Sequence, residues 1–312
     1  HGDLLSSAMT VVSISRCNGK SDRLLGGAST GRPTNVRKQG GRVANPKVVV
    51  ITGGSRGIGA ETAKLFAQHG YNVCLNYVAN DTAAERVRSD ILNLGVRCIA
   101  VKADVSEAND VAKLFSRVDQ ELGTLTVLVN NAANDSKVGG PDDSDEQWSR
   151  LETFPLELWE KDLAVGLTGA HVCSQIIGGP LARQRRGVIL NIASDLGVIA
   201  PDQRIYRQPG LPDEQQPVKP VTYSVVKAGL IGLTRYLATY WAESGVRVNA
   251  ISPGGMYAGQ DDEFVQRLTN LIPMGRMANH DEYKAAIVFL ISDASSYMTG
   301  ANLIVDGGRT TW

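Results

Sequence analysis

From position 47 onward, short runs of apolar, mostly β-branched residues alternate with longer stretches whose apolar positions recur every three or four residues. The short runs predict strands at 47–51, 72–76, 97–101, 126–130, 188–192, 247–251 and 302–305. The longer stretches predict amphipathic helices at about 57–69, 81–94, 107–122, 156–178, 222–244 and 280–291. Strands separated by such helices are joined by crossovers, and crossovers build an α/β fold: a single doubly wound parallel sheet with helices on both faces. Two irregular stretches interrupt the alternation, 134–153 and 195–221. Both follow predicted strands, at the edge where open sheets bind ligands, and loops of that length in a compact domain are usually functional or disordered.

Residues 1–46 carry no such pattern. Between His1 and Lys47 there are eight Lys and Arg against only Asp3 and Asp22, among many Ser, Gly, Thr and Asn. This segment reads as a basic, disordered extension, with an organelle import leader as the alternative. Residues 47–312 read as one domain, since no second core, repeat or low-complexity linker follows position 46.

Charge and composition narrow the function. Lys and Arg number 32, as do Asp and Glu, so the formal net charge is zero and no nucleic-acid partner is implied. No apolar run approaches the roughly 20 residues that cross a bilayer, so no membrane role is expected. Cys17, Cys74, Cys98 and Cys173 lie far apart, as do His1, His69, His171 and His280. Neither set has metal-ligand spacing, and no metal is expected. Cys74 and Cys98 fall on predicted strands, where a reduced core thiol fits a cytoplasmic compartment.

The first predicted strand ends in Thr52-Gly53-Gly54-Ser55-Arg56-Gly57-Ile58-Gly59, immediately before a helix. A strand, a tight glycine turn and a helix N-terminus present free N–H groups and a positive dipole end to a phosphate. A lone glycine-rich turn is a weak signal; its place between strand and helix gives it meaning. The second strand ends at Asn76-Tyr77, where an acid would grip the ribose 2′-hydroxyl of NAD. That position is neutral here, and Asp81 beyond it reads as a helix N-cap. Arg56 can meet a 2′-phosphate instead, which favours NADP(H) over NAD(H); otherwise it is a solvated side chain. Asp104-Val105 and Asn130-Asn131-Ala132-Ala133 follow the third and fourth strands and face the same crevice. Asp104 can accept from an adenine amino group or cap the next helix, and the small residues admit a ribose.

Tyr223 and Lys227 stand four residues apart at the start of a predicted helix, so their side chains share one face. A phenol titrates near pH 10, and a neighbouring ammonium favours phenolate, bringing it toward use as an acid-base group. Ser194, after the fifth strand, can hydrogen-bond a substrate oxygen.

With these pieces in place the chain resembles the short-chain dehydrogenase/reductase family over roughly residues 46–312. The matching residues are Thr52-Gly53, Gly57-Ile58-Gly59, Asp104-Val105, Asn130-Asn131-Ala132, Asn191-Ile192-Ala193-Ser194, Tyr223 with Lys227, Pro253-Gly254 and Val305-Asp306-Gly307-Gly308. The resemblance implies a Rossmann-type sheet and an NAD(P)-dependent oxidoreductase that passes hydride between nicotinamide and a carbonyl or secondary alcohol. It implies Tyr223 as acid/base, Lys227 as the group that lowers its pKa and holds the nicotinamide ribose, and Ser194 as the residue that orients the carbonyl. Gly53, Ser55, Arg56, Gly57, Ile58, Gly59, Asn76, Tyr77, Asp104, Val105, Asn131, Ala132, Tyr223, Lys227, Pro253 and Gly254 are the implied cofactor contacts. A homodimer or homotetramer, built through the fourth and fifth helices and the C-terminal segment, is implied as well.

Three departures from the family pattern stand out. Gly166 occupies the place of an Asn that anchors a proton relay. Gly255-Met256-Tyr257-Ala258 lacks the Thr that commonly follows Pro-Gly. Ser194 and Tyr223 are separated by a longer segment than usual, which suggests an enlarged lid. Arg204, Tyr206 and Arg207 in that lid, with Trp148 and Arg150 in the other loop, suit a polar or anionic substrate or are solvated loop surface. The lid and the run Thr234-Arg235-Tyr236-Leu237-Ala238-Thr239-Tyr240-Trp241 resemble family members associated with surface-glycan and amino-sugar biosynthesis, and a sugar-like substrate is expected. The alternatives are a 3-oxoacyl-thioester reductase and a cofactor-binding protein that has lost turnover.

Overall fold

The computed structural model describes residues 47–134 and 148–312. Seven strands form one sheet: β1 (Val48–Ile51), β2 (Asn72–Tyr77), β3 (Cys98–Lys102), β4 (Leu125–Asn130), β5 (Gly187–Ile192), β6 (Val246–Pro253) and β7 (Asn302–Val305). All neighbours pair in parallel, in the order β3-β2-β1-β4-β5-β6-β7. The order reverses between β1 and β4, and the crevice outside the carboxyl ends of these two strands is the expected ligand site.

Each central strand is apolar throughout because both its faces are covered. In β1, Val49 and Ile51 join one core, while Val48 and Val50 join the other. The first core takes α1 (Gly57–Gln68), α2 (Asp81–Leu92) and α8 (Lys284–Ile291), through residues such as Phe66, Ile91 and Leu290. The second takes α3 (Ala108–Glu121), α5 (Gly169–Arg183) and α6 (Val221–Tyr240), through Leu114, Leu181 and Leu237. A fully buried Leu or Phe stabilises such a core by about 1.5–3 kcal/mol.

Every predicted strand is present, with ends shifted by no more than two residues. The helices differ more. The stretch expected at 156–178 is α4 (Leu156–Leu163), a π-helical segment (Ala164–Thr168) and α5, which together reach Arg183. Gly178, Gly179 and Pro180 are poor helix residues, but a side chain at 178 would stand 2.0 Å from the Trp241 ring. That packing holds the backbone helical where propensity alone stops it. The helix expected to reach 244 ends at Tyr240, and residues Ala242–Ser244 form a 3₁₀ turn closed by left-handed Gly245. The last expected helix begins at Lys284 instead of 280. Helix α7 (Asp262–Thr269) was not anticipated, although Asp261 caps it by accepting from Glu263 N and Phe264 N. Asp81 is not the cap of α2: Asn80 accepts from Ala83 N, and Asp81 accepts from the Tyr77 hydroxyl at 2.9 Å.

The long segment between β5 and α6 is folded. It contains 3₁₀ turns at Asp195–Gly197, Gln203–Tyr206 and Asp213–Gln215. Ile205 is buried with Leu268, Ile272 and Met277, which gives the segment its own small core against α7. Gln216 ties its return, accepting from Gln208 N at 2.8 Å and donating to Leu211 O at 2.7 Å. Most of the other loop, 134–153, and residues 1–46 lie outside the described residues.

Candidate active site

The glycine turn is held from two sides. Asn131 Nδ2 donates to Thr52 O at 2.9 Å and to Gly53 O at 3.1 Å, while the N–H groups of Asn131 and Ala132 both donate to Thr52 Oγ1 at 3.0 Å. Asn76 Oδ1 accepts from Gly53 N at 3.3 Å, and Asn76 Nδ2 donates to Ala103 O at 2.7 Å. The ends of β1, β2, β3 and β4 are thereby locked into one rim. Gly53 and Gly57 have positive φ, at 63° and 54°. A Cβ on Gly59 would stand 2.3 Å from Gly53 O, so the start of α1 lies directly on the turn. In front of Gly57 the space is open: a Cβ there would meet nothing within 4 Å. The first N–H groups of α1 have no intrahelical acceptor, and Arg56, at its N-cap, supplies no side-chain cap. This cradle fits a pyrophosphate.

The expected cofactor residues divide into contacts and supports. Gly53, Ser55, Arg56, Gly57, Ile58 and Gly59 line or frame the turn, and the Arg56 side chain is exposed. Asn76 and Asn131 bond to the turn itself, so they shape it. Tyr77 is half-buried at the end of β2. Asp104 Oδ1 accepts from Ser106 N at 2.9 Å and Ser106 Oγ at 2.7 Å in a local turn, and it does not cap α3, whose N-cap is Glu107. The Val105 side chain is buried and faces Gly169, leaving only its backbone to the crevice. Pro253 ends β6, and Gly254 packs so closely that a Cβ would stand 2.9 Å from Asp306 Cα. Tyr283 donates to Gly254 O at 2.8 Å; burial pushes its phenol well above the ordinary range, so it stays a donor.

Ser194, Tyr223 and Lys227 meet at the carboxyl edge, as their spacing predicts. The Tyr223 hydroxyl lies 3.4 Å from Ser194 Oγ. Lys227 is buried, and its Nζ donates to Ile192 O at 2.8 Å, just short of Ser194. Its ammonium is 5.8 Å from the centre of the Tyr223 ring. Gly197 brings the two elements together, because a Cβ there would lie 2.7 Å from the backbone of Lys227.

Four residues at this site escaped the sequence reading. Lys219, from the return of the long segment, places Nζ 3.8 Å from the Tyr223 ring centre. Asp162, one turn before Gly166, is buried; its Oδ2 accepts from Thr222 Oγ1 at 2.5 Å. Its Oδ1 is buried with no hydrogen-bond partner among the described residues. Asp162, Gly166, Lys219, Thr222, Tyr223 and Lys227 border a cavity of about 20 Å³, room for one water. Asp195 and Arg309 form a buried ion pair beside Ser194. The signals were weak: Asp162 lies four residues before the unusual Gly166, and Asp195 follows Ser194.

The arginines expected to face a substrate are otherwise engaged. Arg204 is exposed and forms two bonds with Asp202, at 2.9 and 2.7 Å. Arg207 approaches Asp213 at 3.5 Å. Arg150 donates to Asp213 O at 3.0 Å and Gln216 O at 3.4 Å, pinning the return of the long segment. The Tyr206 ring lies 5.6 Å from that of Phe264 of α7, tilted by 46°. These residues build the lid, and Lys219 is the cation it brings to the phenol. Among the described residues no group of His, Cys, Asp or Glu is placed to hold a metal ion. Burial pushes the Cys98 and Cys173 thiols up to about 12, so neither is a nucleophile at neutral pH.

Residues 47–206 match the family model described as short chain dehydrogenase, and residues 214–310 match one described as enoyl-(acyl carrier protein) reductase. An NADP-dependent mannitol dehydrogenase of Hypocrea jecorina is 34% identical over 273 residues, 85% of this chain and 92% of that protein. A 3-oxoacyl-[acyl-carrier-protein] reductase of Staphylococcus aureus is 32% identical over 266 residues, 84% of this chain and 97% of that protein. The crystal structure of NAD+-bound xylitol dehydrogenase superposes with a TM-score of 0.72 at 26% identity, covering 85% of this chain and 99% of that one.

Proposed function

The chain belongs to the short-chain dehydrogenase/reductase family and is an NAD(P)-dependent oxidoreductase of alcohols and carbonyls; from that premise we propose that it acts on a small polyol or keto-sugar, with Tyr223 as acid/base. The observation that carries this reading is the juxtaposition of Ser194, Tyr223 and Lys227 beside a cavity bordered by Asp162, Thr222 and Lys219. Asp162, Thr222 and Lys219 bring a carboxylate, a hydroxyl and an ammonium close to the phenol, and such groups suit a substrate with several hydroxyl groups better than an acyl chain.

The bound nicotinamide supplies the hydride donor or acceptor. Lys227, fixed by Ile192 O, keeps an ammonium beside the phenol and favours its ionised form. Tyr223 takes the hydroxyl proton in oxidation and returns one to the oxygen in reduction. Ser194 shares the phenol's hydrogen bond and orients the substrate oxygen. The glycine turn and the N-terminus of α1 would hold the pyrophosphate, and Pro253 and Gly254 would border the nicotinamide end.

NADP(H) is the proposed cofactor, supported by exposed Arg56 at the α1 N-cap and by the neutral residues Asn76 and Tyr77 at the end of β2. The name of the mannitol dehydrogenase relative points the same way. A homodimer or homotetramer is proposed through α6, whose stacked Tyr236 and Tyr240 are exposed; light scattering would check it. No helix among the described residues is long and apolar enough to cross a membrane, and three buried, unpaired thiols fit a cytoplasmic or other reducing compartment.

A second reading, reduction of 3-oxoacyl thioesters, is favoured by the name of the Staphylococcus aureus relative. The deciding experiment follows nicotinamide absorbance with NADP(H) and NAD(H) against polyols and keto-sugars on one side and 3-oxoacyl thioesters on the other. Tyr223→Phe serves as the blank. Turnover confined to the sugar panel is expected. Thioester reduction alone would transfer the assignment to the second reading, and cofactor binding without turnover in either panel would mark a chain that has lost its activity.

A further inference from the structure

Ser194 is not free to turn its hydroxyl at will. Its Oγ lies 2.8 Å from Asp195 Oδ1, and Leu196 N donates to both oxygens, at 3.2 and 2.8 Å. The other carboxylate oxygen, Asp195 Oδ2, accepts from Arg309 Nη1 at 2.8 Å, across 114 residues of chain. All three side chains are buried: Ser194 is 4% exposed, Asp195 3% and Arg309 5%. Arg309 arrives on the turn after β7, held by Asp306, which accepts from Gly308 N and Thr310 N.

The proton in the Ser194–Asp195 bond can be assigned by chemistry. A carboxylate bonded to a guanidinium carries no proton, so the serine is the donor. A hydroxyl has one proton to give. With it committed to Asp195, Ser194 Oγ turns its lone pairs toward Leu196 N and the Tyr223 hydroxyl at 3.4 Å. While it carries its proton, the phenol is therefore the donor in the Tyr223–Ser194 bond. Arg309 fixes Asp195, Asp195 fixes the serine rotor, and the rotor faces the phenol. Burying an ion pair is costly, and replacing one by apolar groups is often neutral for stability, so folding alone does not account for this pair.

We infer that Asp195 and Arg309 are positioning residues of the reaction, fixing the Ser194 rotamer so that Oγ faces Tyr223 and the reacting oxygen, through a link from the C-terminal turn. The inference rests on the reading of Ser194 as part of the catalytic set.

A double-mutant cycle between Ser194→Ala and Arg309→Met tests it, read on the panel compound that the unmodified chain turns over and on the Ser194 rotamer in crystals. Arg309→Met is expected to lower kcat about tenfold or more, with KM within about threefold, and to release Ser194 Oγ from Asp195 or Tyr223. The double variant is expected to be no slower than Ser194→Ala. A merely structural role would instead multiply the two losses. Multiplied losses, or an Arg309→Met protein with unchanged kcat and rotamer, overturn the inference. If Arg309→Met does not fold, Arg309→Lys carries the same cycle with an intermediate loss. Ser194→Ala at the unmodified kcat would remove the catalytic reading of the serine and the inference with it. A slow Ser194→Ala beside a silent Arg309→Met removes the inference alone.

Discussion

A Cβ on Gly166 would stand 2.6 Å from Val226 Cγ1, so the residue preceding Lys227 occupies the space a side chain at 166 would need. Gly166 sits in the π-helical segment Ala164–Thr168, which takes an extra residue into one turn between α4 and α5. The absent Asn and the bulky Val226 are two halves of one packing solution.

Restoring the family's amide should therefore fail alone and succeed in a pair. Gly166→Asn is expected to cost about 1–3 kcal/mol of stability through overpacking, seen as a lowered Tm. Adding Val226→Ala should recover most of that loss. Equal Tm values for the single and double variants would count against this account.

Lys219 should matter to the pH profile more than to folding. Its ammonium lies 3.8 Å from the Tyr223 ring centre, closer than Lys227 at 5.8 Å, and a cation there favours phenolate. Without it, a higher pH is needed to ionise the phenol, so alcohol oxidation at neutral pH falls. Lys219→Met should move the acid limb of the kcat/KM profile for alcohol oxidation to higher pH by on the order of one pH unit, with Lys219→Arg near the original position. A superimposable profile would exclude this role.

The glycine turn offers a steric test. Gly59→Ala would drive a methyl group to 2.3 Å from Gly53 O and 2.5 Å from Asn131 Nδ2. The turn must open, and cofactor affinity should fall about tenfold or more in a fluorescence titration with NADPH. Retained affinity would mean that the phosphates bind elsewhere.

Arg56→Ala separates the two cofactors. If Arg56 meets the 2′-phosphate, the loss falls on NADPH by about tenfold while NADH binding stays within about twofold. An equal effect on both would leave Arg56 as a solvated side chain.

Acid sensitivity should show at the turn behind Gly255. Glu282 forms two bonds with Arg276, at 2.6 and 2.7 Å, and accepts from Asn279 N at 2.7 Å. The Arg276 bonds, then the Asn279 bond, hold its carboxyl down to about 2, against an ordinary 4.5. A carboxyl lowered on folding contributes stability above its unfolded value, and that contribution disappears as pH falls from about 4.5 toward 2. Glu282 is exposed, so solvent limits the effect. Glu282→Gln should show a shallower decline of Tm over that window; identical slopes would refute the assignment.

The sheet, the glycine turn and the candidate trio Ser194, Tyr223 and Lys227 can be read along the chain. Those features are local: a buried strand is an apolar run, a turn needs its glycines, and two residues four apart share a helix face. Helix α7 was legible in principle, since Asp261 precedes Phe264, Val265 and Leu268, but eight residues inside a long irregular stretch gave too short a period to stand out. Only the tertiary structure decided how the charged residues are spent. Arg204, Arg207 and Arg150 look like substrate ligands along the chain, yet they close contacts within the lid. Lys219 and Arg309 carry no signal along the chain and Asp162 and Asp195 only a weak one, yet all four lie around the phenol and the serine. Charge pairing is set by distance in space, and a sequence records distance only along the backbone. The strand order that carries Arg309 to Asp195 is a property of the folded sheet, so the physical link across 114 residues exists only there.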